Sequence, residues 1–277
     1  MNILSCGAGM QSTALALMAC ENANMGEVHP LVPVYDAIIF CDLGIEPPWV
    51  YSQVDFIRRA CRDSGVNFYV IEKNLYDDYL NDFGKKRVSS IPFWSVGPDG
   101  SKAKMRRHCT IDYKILEIQK YVRYELLGYR KGQRSRAADI GAHEMHIGFS
   151  REEQRRVFDS RHPFFVTRFP LIDMDYERPD TYRYNLEIWG LDSKASACCF
   201  CPFHTNFFFH HLKKEHPECY KCAVVLDRIL EKEQPNTKIN SKLYISRSRK
   251  RIEELTPDEC KDGEFFHYKD KLIWNGF

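Results

Sequence analysis

Eleven cysteines stand in a chain of 277 residues, and their spacing is the first chemical signal. Cys198-x-x-Cys201, followed at once by Pro202, is a compact thiol pair. Two thiolates at this spacing can share one metal centre or cycle as a dithiol. Cys199 lies between them. Cys219-x-x-Cys222 repeats the spacing on a helical stretch, so these four thiols offer a competing zinc site. Cys109 is isolated, but it follows Arg106 and Arg107 and opens an expected helix. Neighbouring cations and a helix N-terminus both favour a thiolate there. Cys6, Cys20, Cys41, Cys61 and Cys260 read as small core residues, and of these Cys6 sits in a glycine loop.

That loop, Ser5-Cys6-Gly7-Ala8-Gly9-Met10-Gln11-Ser12-Thr13, lies between an apolar run and a helical stretch. Glycines let the backbone approach an anion closely, and a helix start offers free N–H groups. Ser5, Ser12 and Thr13 add hydroxyls. The pattern suits a phosphate cradle, and equally a tight turn with no ligand. It lacks the Gly-Lys-Ser/Thr of a P-loop and the third glycine of a dinucleotide fingerprint. Blander readings cover the rest. Phe207 to His211 reads as a core helix face, and the basic stretches 129–136 and 246–251 read as solvated loops or nucleic-acid backbone contacts.

The elements that must hold these residues follow from periodicity. Residues 2–4 form a strand, and a helix runs on from Ser12. Residues 35–41 read as a buried strand ending at Asp42, and a helix enters through Pro47 and Pro48 and stops at Gly65. Residues 66–71 give a third strand. Residues 84–108 and 129–142 read as long loops, and a helix begins near Thr110. Strands at 145–149 and 164–171 follow, then a helix over 180–191 stopped by Gly190, then helices through 205–233. Strands alternating with helices imply a parallel sheet with right-handed crossovers. The expected fold class is α/β, a Rossmann-like parallel sheet flanked by helices, with a smaller, mostly helical, Cys-containing C-terminal region. The expected domains are 1–172 and 173–277, with the second allowed to merge into the first.

Composition bounds the function. Charged residues make up 28%, and 40 Lys and Arg face 38 Asp and Glu. That balance excludes a general nucleic-acid coat but leaves room for a local basic groove. No basic region followed by a clean apolar run opens the chain, and no stretch of about 18 apolar residues occurs. The expected location is cytoplasmic, with no membrane partner, and thiols there stay reduced.

Ser5-x-Gly7 with Ser12-Thr13 resembles the pyrophosphate loop of the PP-loop ATP pyrophosphatase superfamily. The resemblance is nearest to its PAPS-reductase-like branch, which includes DNA phosphorothioation sulfurtransferases. Further blocks follow in the same order: Phe40-Cys41-Asp42-Leu43-Gly44-Ile45-Glu46-Pro47, Arg106-Arg107-His108-Cys109-Thr110 with Tyr113-Lys114-Ile115, Ile147-Gly148-Phe149-Ser150 with Glu153 and Arg156, Arg168-Phe169-Pro170-Leu171, and Ser196-Ala197-Cys198-Cys199-Phe200-Cys201-Pro202-Phe203-His204. The resemblance implies that Ser5, Gly7, Gly9, Ser12, Thr13 and Asp42 bind ATP. It assigns Arg107, Lys114 and Arg156 to phosphate or sulfate charge and Cys109 to catalysis. It implies that Cys109, Cys198 and Cys201 hold a [4Fe-4S] cluster, with zinc as the alternative and His204 as a cap. Gln11 departs from the acidic residue many such loops carry, so this side chain cannot give Mg2+ the same charge. The implied activity is ATP-dependent adenylation of a substrate, nucleic acid or nucleobase, followed by sulfur transfer. The implied partners are a nucleotide, a tRNA or DNA substrate, and a cysteine desulfurase or other sulfur donor. Two alternatives stand beside it: a reductase of phosphoadenosine phosphosulfate, and a non-catalytic nucleotide-binding zinc module of a DNA-modification or defence complex.

Overall fold

The computed structural model describes residues 1–85 and 90–274. Residues 86–89, part of the first expected loop, and 275–277 lie outside the described residues.

The chain opens on β1 (Asn2–Cys6), turns through the glycine loop, and enters α1 (Met10–Met25). Leu15, Leu17, Met18 and Ala19 in α1 are all fully buried. A helix apolar on every side must be covered on every side. β2 (Ala37–Asp42) is a continuous buried run, as expected of an interior parallel strand. α2 (Pro48–Asp63) buries Val50, Gln53, Val54, Ile57, Ala60 and Cys61, a helical stripe, and leaves the rest to solvent. β3 (Phe68–Glu72) and α3 (Leu75–Asp82) follow.

Residues expected as loop carry two short strands, β4 (Trp94–Val96) and β5 (Lys102–Lys104). Next comes α4 (Leu116–Tyr121), flanked by π-helical turns at Ile111–Ile115 and Val122–Leu126. Such wide turns are found mostly at functional positions, and Lys114 lies in the first. β6 (His143–Ile147) and β7 (Phe165–Arg168) complete the main strands, with α5 (Pro170–Asp173) directly after. α6 (Arg178–Trp189) ends at Gly190, whose φ of 66° is the left-handed stop that glycine adopts without a Cβ clash. α7 (Asn206–Glu215), α8 (Pro217–Glu233), β8 (Lys242–Tyr244), β9 (Phe265–Tyr268) and β10 (Lys271–Trp274) finish the described chain.

The central sheet has five strands in the order β3-β2-β1-β6-β7. β1 pairs in parallel with β2 and with β6, and β6 with β7. The chain therefore builds outward from β1 in one direction, then returns to its other side. A crevice opens at such a reversal, outside the carboxyl ends of the strands. β5, β4 and β8 form a separate antiparallel sheet, and β9 and β10 a hairpin.

The chain divides into two compact units, each assembled from three segments. The first is Met1–Cys41, Pro48–Ile71 and Ile115–Ser196; the second is Asp42–Pro47, Glu72–Lys114 and Ala197–Phe277. Among the described residues no helix is long and apolar enough to cross a membrane.

Candidate functional site

Two groups of expected site residues emerge, one in each unit. In the first unit the glycine loop follows β1 and the segment 148–150 follows β6, so both stand at the sheet reversal. The Gly7 N–H donates to Ser12 Oγ at 3.1 Å, and Ser12 Oγ reaches Gly9 O at 3.5 Å. Ser196 Oγ also donates to the Gly7 carbonyl. Gly9 is the residue before α1, so the first-turn N–H groups of the helix are left without intrahelical acceptors. Ala8 sits at a φ of 52°, a left-handed conformation that is uncommon for a residue with a Cβ. A Cβ on Gly148 would lie 2.9 Å from Ser12 N, so only glycine lets the two backbones approach this closely.

Gln11 does not point its amide outward as a substitute acid. Its Nε2 donates to Glu153 Oε2 at 2.8 Å and Ser150 Oγ at 3.2 Å. Glu153 in turn pairs with Arg156, and Arg178 lies 3.8 Å away. Arg156 also lies over the Phe149 ring. Gln11 thus ties the cation-bearing turn Arg151–Arg156 to the start of α1. Ser5, Gly7 and Gly9 are partly exposed, whereas Thr13 is fully buried. The Thr13 hydroxyl faces the interior and belongs to the loop's packing.

In the second unit Asp42 closes β2. Its carboxylate accepts the Gly44 N–H at 2.8 Å, and its carbonyl accepts the Lys73 N–H at 2.8 Å. Gly44 holds a φ of 96° with Asn74 Oδ1 2.7 Å from where a Cβ would be, so this turn requires glycine. The turn delivers Glu46 to a buried position, 2% exposed. Lys114 Nζ stands 3.7 Å from Glu46 Oε1, and Cys198 Sγ donates to the same oxygen at 3.8 Å. Burial pushes the Glu46 carboxyl up, with Lys114 pulling it back. Desolvation would lower the Lys114 ammonium, but Glu46 and the Cys198 thiol more than offset it, so Lys114 is held charged. The Glu46 link between Cys198 and Lys114 is not visible in sequence spacing.

Arg107 is exposed, donates to Cys109, and lies within electrostatic reach of Cys201 and Cys198. Cys109 is anchored by its N–H to Ser90 O at 2.8 Å. The Cys201 thiol is pushed up to about 11 by burial, with Arg107 opposing, and burial next to Glu46 raises Cys198 well above its ordinary value too. The structure therefore brings Cys109, Cys198, Cys201, Arg107 and Lys114 into one neighbourhood. It does not arrange them as ligands. Among the described residues no group of three or more His, Cys, Asp or Glu side chains is placed to hold a metal ion. The thiols instead face a guanidinium, an ammonium and a carboxyl.

The other expected ligands are otherwise engaged. His204 Nε2 bonds to the Cys198 carbonyl at 3.0 Å, and burial drives its pKa to about 3, so the ring is neutral and braces the thiol turn. Cys199 hydrogen-bonds with Cys219, which separates Cys219 from the Cys198–Cys201 pair. Cys20 and Cys61 are buried in the first core with their sulfurs 3.8 Å apart. Cys260 is buried, and burial with Asp262 and Glu259 raises its thiol, the opposite of what a tail nucleophile needs. A cavity of about 470 Å³ also occurs in the first unit, lined in part by Glu144, His146, Arg168 and Asp173, which spacing alone does not connect.

Compared with family models, curated proteins and solved structures, the chain matches none.

Proposed function

We propose that this chain is an ATP-dependent adenylating sulfurtransferase of the PP-loop type. The observation that carries the reading is the glycine loop at the sheet reversal, pressed by Gly148 against the start of α1. Free helix N–H groups and a glycine backbone there suit a pyrophosphate. Arg156, held over Phe149 beside the loop's Gln11 contact, supports the same charge preference. Bound ATP supplies an electrophilic α-phosphorus. A substrate oxygen attacks it, a P–O bond forms, and pyrophosphate leaves. Loop N–H groups aimed at the departing charge stabilise it in the transition state.

Sulfur delivery is assigned to the second unit's thiols. Cys109 receives a persulfide sulfur from a persulfide donor, and its terminal sulfur displaces AMP from the activated carbon. Cys201 then attacks the Cys109 sulfur, which frees the thiolated product and leaves a Cys109–Cys201 disulfide. A thiol reductant restores both. Arg107 stabilises the sulfur anion, and Lys114 with Glu46 holds Cys198 in place.

The test incubates the pure protein with α-labelled ATP and candidate oxygen acceptors. Pyrophosphate release and a labelled adenylate are expected. Cys109→Ser should leave both intact and abolish sulfur transfer. Nucleotide bound without turnover for any acceptor would instead select a non-catalytic module, the reading that Gln11's engagement with Ser150 and Glu153 favours.

A further inference from the structure

The second unit carries a charged surface that the thiol chemistry does not use. In the sheet β5-β4-β8, Lys104 is level with Trp94 and Trp94 with Tyr244, while Lys102 is level with Val96 and Val96 with Lys242. Side chains two apart on a strand share a face. One face therefore presents Lys102, Lys104, Trp94, Val96, Lys242 and Tyr244. The opposite face turns Leu243 and Ser95 into the interior, both buried. Lys102, Lys104 and Lys242 are exposed.

Two further side chains extend this face. Arg249 lies over the Trp94 ring, 5.1 Å from its centre, and Lys104 lies 5.0 Å from the same ring. Arg249 holds a φ of 57°, a left-handed conformation that a side-chain-bearing residue adopts at a cost. The turn is tied by Ser246, whose Oγ donates to Lys250 O at 2.7 Å. The aromatic rings thus fix cations that would otherwise sample many rotamers. Arg247, Lys250 and Arg251 are neutralised by Asp262, Glu259 and Asp227. Lys102, Lys104, Lys242 and Arg249 form no carboxylate pair among the described residues.

We propose that this face binds a single strand of nucleic acid through its phosphates. Ordered, unneutralised cations on an exposed sheet with aromatic rings between them match a polyanion with planar bases. Trp94 and Tyr244, interleaved with these cations, suit unstacked bases, which a single strand offers and a duplex does not. The face continues toward the thiols. Lys104 and Arg107 both lie over the Phe203 ring, and Trp94 Nε1 donates to Pro202 O at 2.8 Å. A strand on the face therefore passes the Cys201-Pro202-Phe203 segment. That the bound strand is the sulfur acceptor rests on the proposed function; the binding itself does not.

The test measures fluorescence anisotropy of labelled 12-residue RNA, DNA and duplex DNA with the full chain, without ATP or sulfur donor, across a salt series. Four phosphate contacts on a single strand give a slope of log affinity on log salt of about −3. Lys102→Gln/Lys104→Gln should weaken binding at least tenfold and reduce that slope by about 1 to 2. Lys214→Gln/Lys221→Gln, exposed in the same unit and off this face, should change neither. If the double variant does not fold, Lys102→Gln alone, on the exposed edge strand, should still reduce affinity and slope. Binding to RNA in preference to DNA, or the reverse, names the source within the proposal. No binding of either single strand at low salt, unchanged binding by the folded variants, or equal preference for duplex overturns it. Those failures leave pyrophosphate release untouched, so the face and the proposed function fail separately.

Discussion

Gly148 shows how one absent methyl can govern a site. Its α-carbon faces the Ser12 backbone, and an added Cβ would press on an amide at 2.9 Å that cannot rotate away. Gly148→Ala is expected to cost about 1–3 kcal/mol through overpacking and to weaken ATP binding in parallel. Thermal unfolding and nucleotide titration together check this. A variant that unfolds at the same temperature and binds ATP normally would separate the glycine from the loop. Gln11 makes a contrasting case. Gln11→Glu would place a second carboxylate against Glu153 and beside the proposed phosphate site. Its expected outcome is weaker nucleotide binding, measured without added divalent metal. At this scale the turn from β1 into α1 was legible in sequence because glycine acts on its own backbone. The bond from Cys198 to Glu46 was not, since residues 152 positions apart meet only through tertiary folding.

At the scale of elements, caps and pairings decide what holds. Thr205 accepts the Phe208 N–H at the start of α7, the helix that follows the thiol turn. Thr205→Ala is expected to destabilise by about 1 kcal/mol, read as a lowered unfolding midpoint with an unchanged denaturant slope. The parallel strands were readable as apolar runs bounded by glycine and proline, and the α6 stop at Gly190 was readable from the residue itself. β4 and β5 were hidden for a physical reason. Each is three residues long, too short to show alternation, and β4 is stabilised by pairing with β8, which lies about 150 residues away in the chain. α1 begins at Met10, two residues ahead of the expected Ser12, because the loop closes on Gly9 as the cap.

At the scale of the molecule, two measurements probe stability as a whole. His146 is buried against Tyr35 and Glu144, and His143 is buried beside Asp139. Burial lowers both imidazoles below the ordinary value, with Glu144 and Asp139 opposing it. The folded state therefore binds protons less readily than the unfolded chain. Their contribution to stability is full above about pH 6.5 and is lost as the pH falls through the depressed values. Denaturant midpoints measured from pH 8 downward should begin to fall near neutrality, and His146→Gln should flatten that decline. The second measurement is a truncation. Asn185 in α6 donates to Met10 O at 2.9 Å, and Tyr184 and Trp189 pack on the first core. A fragment of residues 1–172 lacks this helix and is expected to be protease-sensitive, whereas residues 1–196 retain all segments of the first unit.

The threading of the two units also sets a timetable for synthesis. The segments 42–47 and 72–114 leave the ribosome early but belong with 197–277, which follows the whole of the first unit. The first unit can close once Ser196 is out, while Cys109 and Lys114 wait for the chain that carries Cys198 and Cys201. Long-range closure of this kind is slow. During translation, therefore, every segment of the first unit is available before the segment that brings Cys198 and Cys201 to Cys109.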